Sequence, residues 1–152
     1  MTICWVSSET PDRSGQGGQR RQFHLIRELH RAGFDVSVAH YASEQDSTSI
    51  RSIVPTVGLH PFGRGPIGRV RNRTWSRFDS WASDARPDII IVAHAVSARL
   101  LPGTLRRNGV PILVDFHNVD SRWFSTIGDR CAAERERTRE RRLLRRTTPI
   151  VC

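Results

Sequence analysis

The run Ile89-Ile90-Ile91-Val92-Ala93 constrains the fold more than any other stretch of this chain. A strand with one wet face alternates apolar and polar residues, and this run has no polar face at all. It therefore has to be covered on both sides, as strands are in a parallel sheet flanked by helices. Arg86-Pro87-Asp88 precedes it and breaks any helix arriving from upstream. Other apolar segments read as strands: Thr2–Ser8, Val36–Tyr41, Val57–His60 between Pro55 and Pro61, Val110–Phe116, and Pro149–Cys152. Helical patterns separate them. The first is Gln19–Arg31, with Leu25, Ile26, Leu29 and Ala32 as its apolar stripe. Arg69–Ala85 is the second, with Val70, Trp75, Phe78 and Trp81. Ser97–Arg107 follows and stops at Asn108-Gly109, and Asp129–Arg146 is long and charged. Ser43–Ser49 and Gly63–Gly68 read as loops. Strands alternating with helices give right-handed βαβ units. The expected fold is one α/β domain over residues 1–152: a doubly wound, mainly parallel Rossmann-like sheet with helices on both faces.

Ligands of such sheets bind beyond the carboxyl ends of the strands, and three polar segments fall there. After the first strand, Glu9–Gly18 holds Pro11, Asp12, Ser14, Gly15, Gly17 and Gly18. Glycines let a backbone approach a ligand, and a helix start offers N–H groups to an anion. The stretch reads as a phosphate cradle or as an ordinary tight turn, because its spacing is neither G-x-G-x-x-G nor a P-loop. His94 follows the Ile-rich strand, as a site residue or as a cap of the next helix. His117 and Asn118 follow Val110–Phe116. Asp115 is a carboxylate of catalytic type or a partner of neighbouring backbone. Arg20 and Arg21 read as ligand-facing or as a solvated helix face.

Composition narrows the function classes. The chain has 152 residues, 38% of them hydrophobic, and a formal charge of +9. Its 24 basic residues are all arginine, a side chain suited to phosphates and carboxylates. Arg64, Arg69, Arg71, Arg73 and Arg77 interleave with Trp75, Phe78 and Trp81, as on a membrane-facing or nucleic-acid-facing helix, or on a surface helix whose aromatics pack on the sheet. The charges of Arg130–Arg146 mix with Glu134, Glu136 and Glu140, as on a solvated helix with i,i+4 pairs. Spread over several elements, with no reader motif, they argue against dedicated nucleic-acid binding. Cys4, Cys131 and Cys152 have neither metal nor redox spacing, and Cys4 reads as an inert core thiol. No metal site and no cofactor is expected. With no leader and no membrane span legible, a cytoplasmic protein is expected, with peripheral contact at the inner membrane face as an option.

Taken in order, the segments resemble the N-terminal domain of a family 4 glycosyltransferase of the GT-B fold. The resemblance rests on Gly17-Gly18-Gln19-Arg20-Arg21 with His24-Leu25, on Leu29-His30-Arg31-Ala32-Gly33-Phe34-Asp35-Val36-Ser37-Val38, and on Arg86-Pro87-Asp88-Ile89-Ile90. It continues through Gly109–Ser121 and the arginine-rich helix before Pro149-Ile150-Val151-Cys152. The resemblance implies an enzyme of two Rossmann-like domains that moves a sugar from a nucleotide-sugar donor to an acceptor hydroxyl. It implies that Gly17 and Gly18 approach the donor diphosphate, that Arg20, His94 and Asn118 face the acceptor, and that His117 lies near the donor sugar. The donor-binding C-terminal domain is absent from these residues. The chain then looks like half an enzyme, inactive alone, with that domain supplied in cis or in trans. The alternative is a non-catalytic Rossmann-like module that binds an anionic partner, either membrane lipid or nucleic acid.

Overall fold

β1 (Thr2–Ser7) sits inside a six-stranded sheet, between β2 (Asp35–Tyr41) and β4 (Ile89–Ala93). Beyond β2 lies β3 (Thr56–Leu59); beyond β4 lie β5 (Ile112–Phe116) and β6 (Thr148–Val151). The order is β3-β2-β1-β4-β5-β6, and every pairing is parallel. The computed structural model describes residues 1–41, 48–59, 80–82, 84–94, 97, 109–116, 120–145 and 148–151. Four helices are defined among them: α1 (Gly17–Arg31), α2 (Thr48–Arg51), α3 (Asp120–Thr126) and α4 (Arg130–Leu144). The strand order steps outward from β1 in both directions, so right-handed crossovers place helices on opposite faces. The expected doubly wound α/β sheet is the fold observed.

The side-chain period of two splits each central strand between two cores. Ile3 and Trp5 of β1 join Val36 and Val38 of β2 under Phe23 and Ile26 of α1 and under Ile50 and Val54. Cys4 and Val6 turn the other way, onto Ala39, Ile90, Val92 and Val114, with Ala82, Trp81 and Ala85 covering them. The Ile-rich strand is divided likewise, with Ile90 and Val92 on one side and Ile89 and Ile91 on the other. Each such side chain, fully buried, contributes about 1.5–3 kcal/mol. Burial pushes the Cys4 thiol up to about 11, which suits an inert core thiol. Trp81 packs on the sheet, as a surface helix with inward aromatics requires.

Several boundaries differ from expectation. Gly17 and Gly18 open α1 instead of closing the loop before it. The inward face of α1 is Gln22, Phe23, Ile26 and Leu29; Leu25 and Ala32 are exposed. A glutamine occupies one place in the apolar stripe and hides it from a hydrophobicity count. Gly33, at φ 86, supplies the left-handed residue that ends α1, and the amide of Phe34 donates to the Leu29 carbonyl. The short helix α2 begins inside the expected Ser43–Ser49 loop.

α3 was not anticipated. Its stop is Gly128, at φ 82, with Asp129 N–H returning to the Phe124 carbonyl. Asp129 Oδ1 then accepts from the Ala132 amide and caps α4. The Gly-Asp pair was the available signal. Among the described residues, two ion pairs of α4, Arg137–Glu134 and Arg139–Glu136, are spaced i,i+3. Glu136 and Glu140 are buried instead of solvated. Of the expected Arg69–Ala85 helix, residues 80–82 and 84–85 are helical; Gly63–Gly68, Arg64 to Arg77 and nearly all of Ser97–Arg107 lie outside the described residues.

Candidate functional site

The loop from β1 to α1 folds back on its own helix. The Asp12 amide donates to the Gln19 carbonyl at 3.2 Å, and the Gln16 amide donates to Gln19 Oε1 at 2.9 Å. Asp12 Oδ1 accepts from the Ser14 amide at 3.0 Å and from Ser49 Oγ at 3.1 Å, which ties the loop to α2. These bonds, with the Ser14 amide foremost, hold the Asp12 carboxyl below the usual carboxylate range. Deeper in, Thr10 Oγ1 pairs with Nδ1 of the fully buried His40 at 3.3 Å.

The glycines differ in what they leave room for. A Cβ on Gly15 would stand 2.7 Å from Gln19 Oε1, so the capping contact itself requires a glycine there. A Cβ on Gly17 would meet nothing within 4 Å. The chain therefore gives no steric reason for glycine at the first position of α1, and its space is open to a ligand. The first amides of a helix have no intrahelical acceptor, and no acidic residue occupies the first turn of α1.

A series of contacts runs across the switch point between β1 and β4. The Ser8 amide, just past β1, donates to Ser97 Oγ at 2.7 Å. The Ser97 amide donates to the His94 carbonyl at 3.1 Å, and the His94 amide donates to the Asp115 carbonyl at 3.1 Å. From α1, the Arg21 guanidinium donates to Asp115 Oδ1 at 3.2 Å. His94 is buried, 8% exposed, with φ 67, a left-handed conformation that costs a non-glycine residue energy. Strained residues of this kind gather at functional sites, where surrounding contacts hold them.

The expected residues are distributed as follows. His94 stands at the carboxyl edge, and its carbonyl accepts the bond that starts the following turn. Gly17 and Gly18 stand at the start of α1. Arg20 is exposed, with a 3.4 Å contact to the Gly15 carbonyl. Arg21 is the arginine that turns inward, and it meets the Asp115 side chain. That pair was missed as a unit. The signal was an acidic residue closing an apolar strand, where burial demands a cation. His117 and Asn118 lie outside the described residues. Among the described residues no group of three or more His, Cys, Asp and Glu could hold a metal ion, and no helix is long and apolar enough to cross a membrane.

The sequence model of the family described as Glycosyltransferase Family 4 matches residues 15–152. No curated protein matches the sequence significantly. Among solved structures, sucrose-phosphate synthase from Thermosynechococcus elongatus superposes with a TM-score of 0.61 at 16% identity, over 92% of this chain and 39% of that one. A putative UDP-N-acetylglucosamine 2-epimerase from Listeria monocytogenes superposes with a TM-score of 0.52 at 10% identity, over 91% of this chain and 37% of that one. At these identities the likeness is one of fold. The chain spans about two fifths of the length of either structure.

Proposed function

The chain belongs to glycosyltransferase family 4, and from that membership we propose that it is the N-terminal, acceptor-side domain of a GT-B enzyme that transfers a sugar from a nucleotide-sugar to an acceptor hydroxyl. The observation that carries this reading is the series of contacts at the carboxyl edge. The start of α1, the end of β1, His94 and Asp115 converge at the switch point, where an open α/β sheet binds ligands. Gly17 and Gly18 approach the donor diphosphate with their amides, which stabilise the negative charge that grows on the leaving group. Arg20, His94 and Asn118 face the acceptor. His117 contacts the donor sugar and holds a hydroxyl or a carbonyl rather than acting as nucleophile. The second Rossmann-like domain supplies the remaining donor contacts, since both walls of a cleft are needed to orient two substrates.

The test is transfer from a panel of radiolabelled nucleotide-sugars, with the purified chain alone and with the same chain joined to a family 4 donor-binding domain. Transfer is expected in the joined protein and not in the chain alone. Robust turnover by the chain alone would refute the half-enzyme reading. A joined protein that folds, binds nucleotide-sugar and transfers to no acceptor would refute the acceptor-side role.

A further inference from the structure

The sequence mixes glutamate with arginine along α4, and the fold sorts them. Ala132, Glu136 and Glu140, spaced one turn apart, are buried on one side of the helix. Glu136 pairs there with Arg139. Glu140 accepts from the Ser121 amide of α3 at 3.0 Å and from the Ser121 hydroxyl at 2.6 Å. Both carboxylates are thereby withdrawn from the surface. The arginines go the other way: Arg122, Arg130, Arg135, Arg141, Arg142 and Arg145 are exposed. Of the carboxylates exposed between residues 121 and 145, Glu134 is paired with Arg137 at 2.8 Å, and Asp129 caps α4 through the Ala132 amide. A stretch that reads as a balanced, solvated helix therefore shows water a strongly basic surface.

An apolar pair stands on the same hairpin. α3 packs on α4 across a turn at Gly128. Trp123 on α3 and Ile127 just after it are four residues apart, one helical turn, and both are more than half exposed. Arg122 and Arg130 flank them in sequence. Apolar side chains left in water gain free energy from apolar cover.

We propose that the α3–α4 hairpin is a docking surface for a bilayer carrying anionic lipid, with Trp123 and Ile127 entering the headgroup layer and the arginines meeting the lipid phosphates. Charge complementarity selects this occupant. A second copy of the chain would cover the apolar pair but set arginine against arginine. Nucleic acid would meet the arginines and stack on Trp123, and would leave Ile127 in water. An anionic bilayer accounts for both features. The inference stands apart from the sugar-transfer reading, because lipid docking involves no nucleotide-sugar and either can fail alone.

The test is sedimentation of the purified 152-residue chain with two kinds of vesicle, phosphatidylcholine alone and phosphatidylcholine with an equal amount of phosphatidylglycerol. The chain is expected to sediment with the mixed vesicles only, and less as salt is added. Joint Arg141→Gln and Arg142→Gln should weaken binding about 25-fold, from about fivefold for each arginine at an anionic surface. Joint Trp123→Ser and Ile127→Ser should weaken it at least about tenfold, through the apolar area kept in water. Joint Arg31→Gln and Arg51→Gln removes the same charge from exposed positions on α1 and α2 and should bind as wild type. Melting curves establish that each variant is folded, and the exposed arginine pair keeps the test decisive should the serine variant unfold.

No binding to the mixed vesicles would overturn the inference. So would equal weakening by the Arg31 and Arg51 pair, since that marks net charge and not this surface. Undiminished binding by a folded Trp123→Ser, Ile127→Ser variant would remove the apolar pair from the contact. A labelled RNA oligonucleotide that displaces the vesicles and loses affinity in the same variants would assign the surface to nucleic acid instead. A dimer in sedimentation that the serine changes dissociate, with no vesicle binding, would assign it to a second copy.

Discussion

Gly17 separates a ligand's demand from the fold's. Its φ is not left-handed, it opens a helix, and a Cβ would touch nothing within 4 Å. Gly17→Ala should therefore leave the fold intact and raise its stability by about 0.5–1 kcal/mol, because alanine loses less backbone entropy in a helix. If the donor diphosphate lies against this backbone, transfer by the joined two-domain protein should fall while melting temperature rises. Unchanged transfer in that variant would end the cradle reading. Gly15→Ala should do the reverse, lowering stability with no ligand present, since its Cβ falls 2.7 Å from Gln19 Oε1. Asp12 gives a pH dependence. Its folded-state pKa is depressed by the Ser14 amide first, so its contribution is present above the unfolded carboxylate pKa. That contribution fades as pH falls through the lower folded value. Asp12→Ala should melt below wild type at neutral pH, and the gap should close in acid; a gap independent of pH would show that the carboxylate's charge is not what ties the loop to α2. At this scale the sequence did not name the side-chain partners. Arg20 and Arg21 are adjacent and chemically identical, and only their angular positions on α1 send Arg21 to Asp115 and leave Arg20 in water.

At the scale of elements, α1 is keyed to β1 by a buried polar contact. Trp5 Nε1 donates to Gln22 Oε1 at 3.2 Å, and both side chains are almost wholly buried. Gln22 Nε2 has no hydrogen-bond partner among the described residues. Removing the acceptor leaves a buried indole N–H unpaired, which costs about 1–3 kcal/mol, partly offset by removing the unpaired amide. Gln22→Met should thus destabilise by about 1 kcal/mol in urea melts. Adding Trp5→Phe should cost less than the two single changes summed, because no donor is then left unmet. Strict additivity would show that the contact carries no coupling. Strands were legible because period-two burial and Pro or Gly boundaries are written locally. α3 was not, because the hold on Ser121 near its start comes from Glu140, on another helix.

For the whole molecule, strand order sets a gradient of stability. β1 and β4 have a bonded neighbour on each side and apolar cover on each face, whereas β3 and β6 are the sheet edges. Native-state amide exchange should be slowest in β1 and β4 and faster by at least about tenfold in β3 and β6, as local opening begins where ladders are unshared. Equal protection across the sheet would mean that it opens only as one unit. The exposed Trp123 on α3 and Ile127 just after it, each 56% exposed, add the kind of apolar surface that promotes association, and a clean monomer at high concentration would count against that expectation. By itself the sequence determined the α/β class and the parallel sheet. Those follow from hydrophobic period and turn residues, which act over a few positions. Tertiary structure alone decided that Arg21 reaches Asp115, that His94 is held left-handed, and that Glu140 grips Ser121. Those contacts join residues 94 and 19 positions apart, or depend on angles that only packing sets, so no local pattern encodes them.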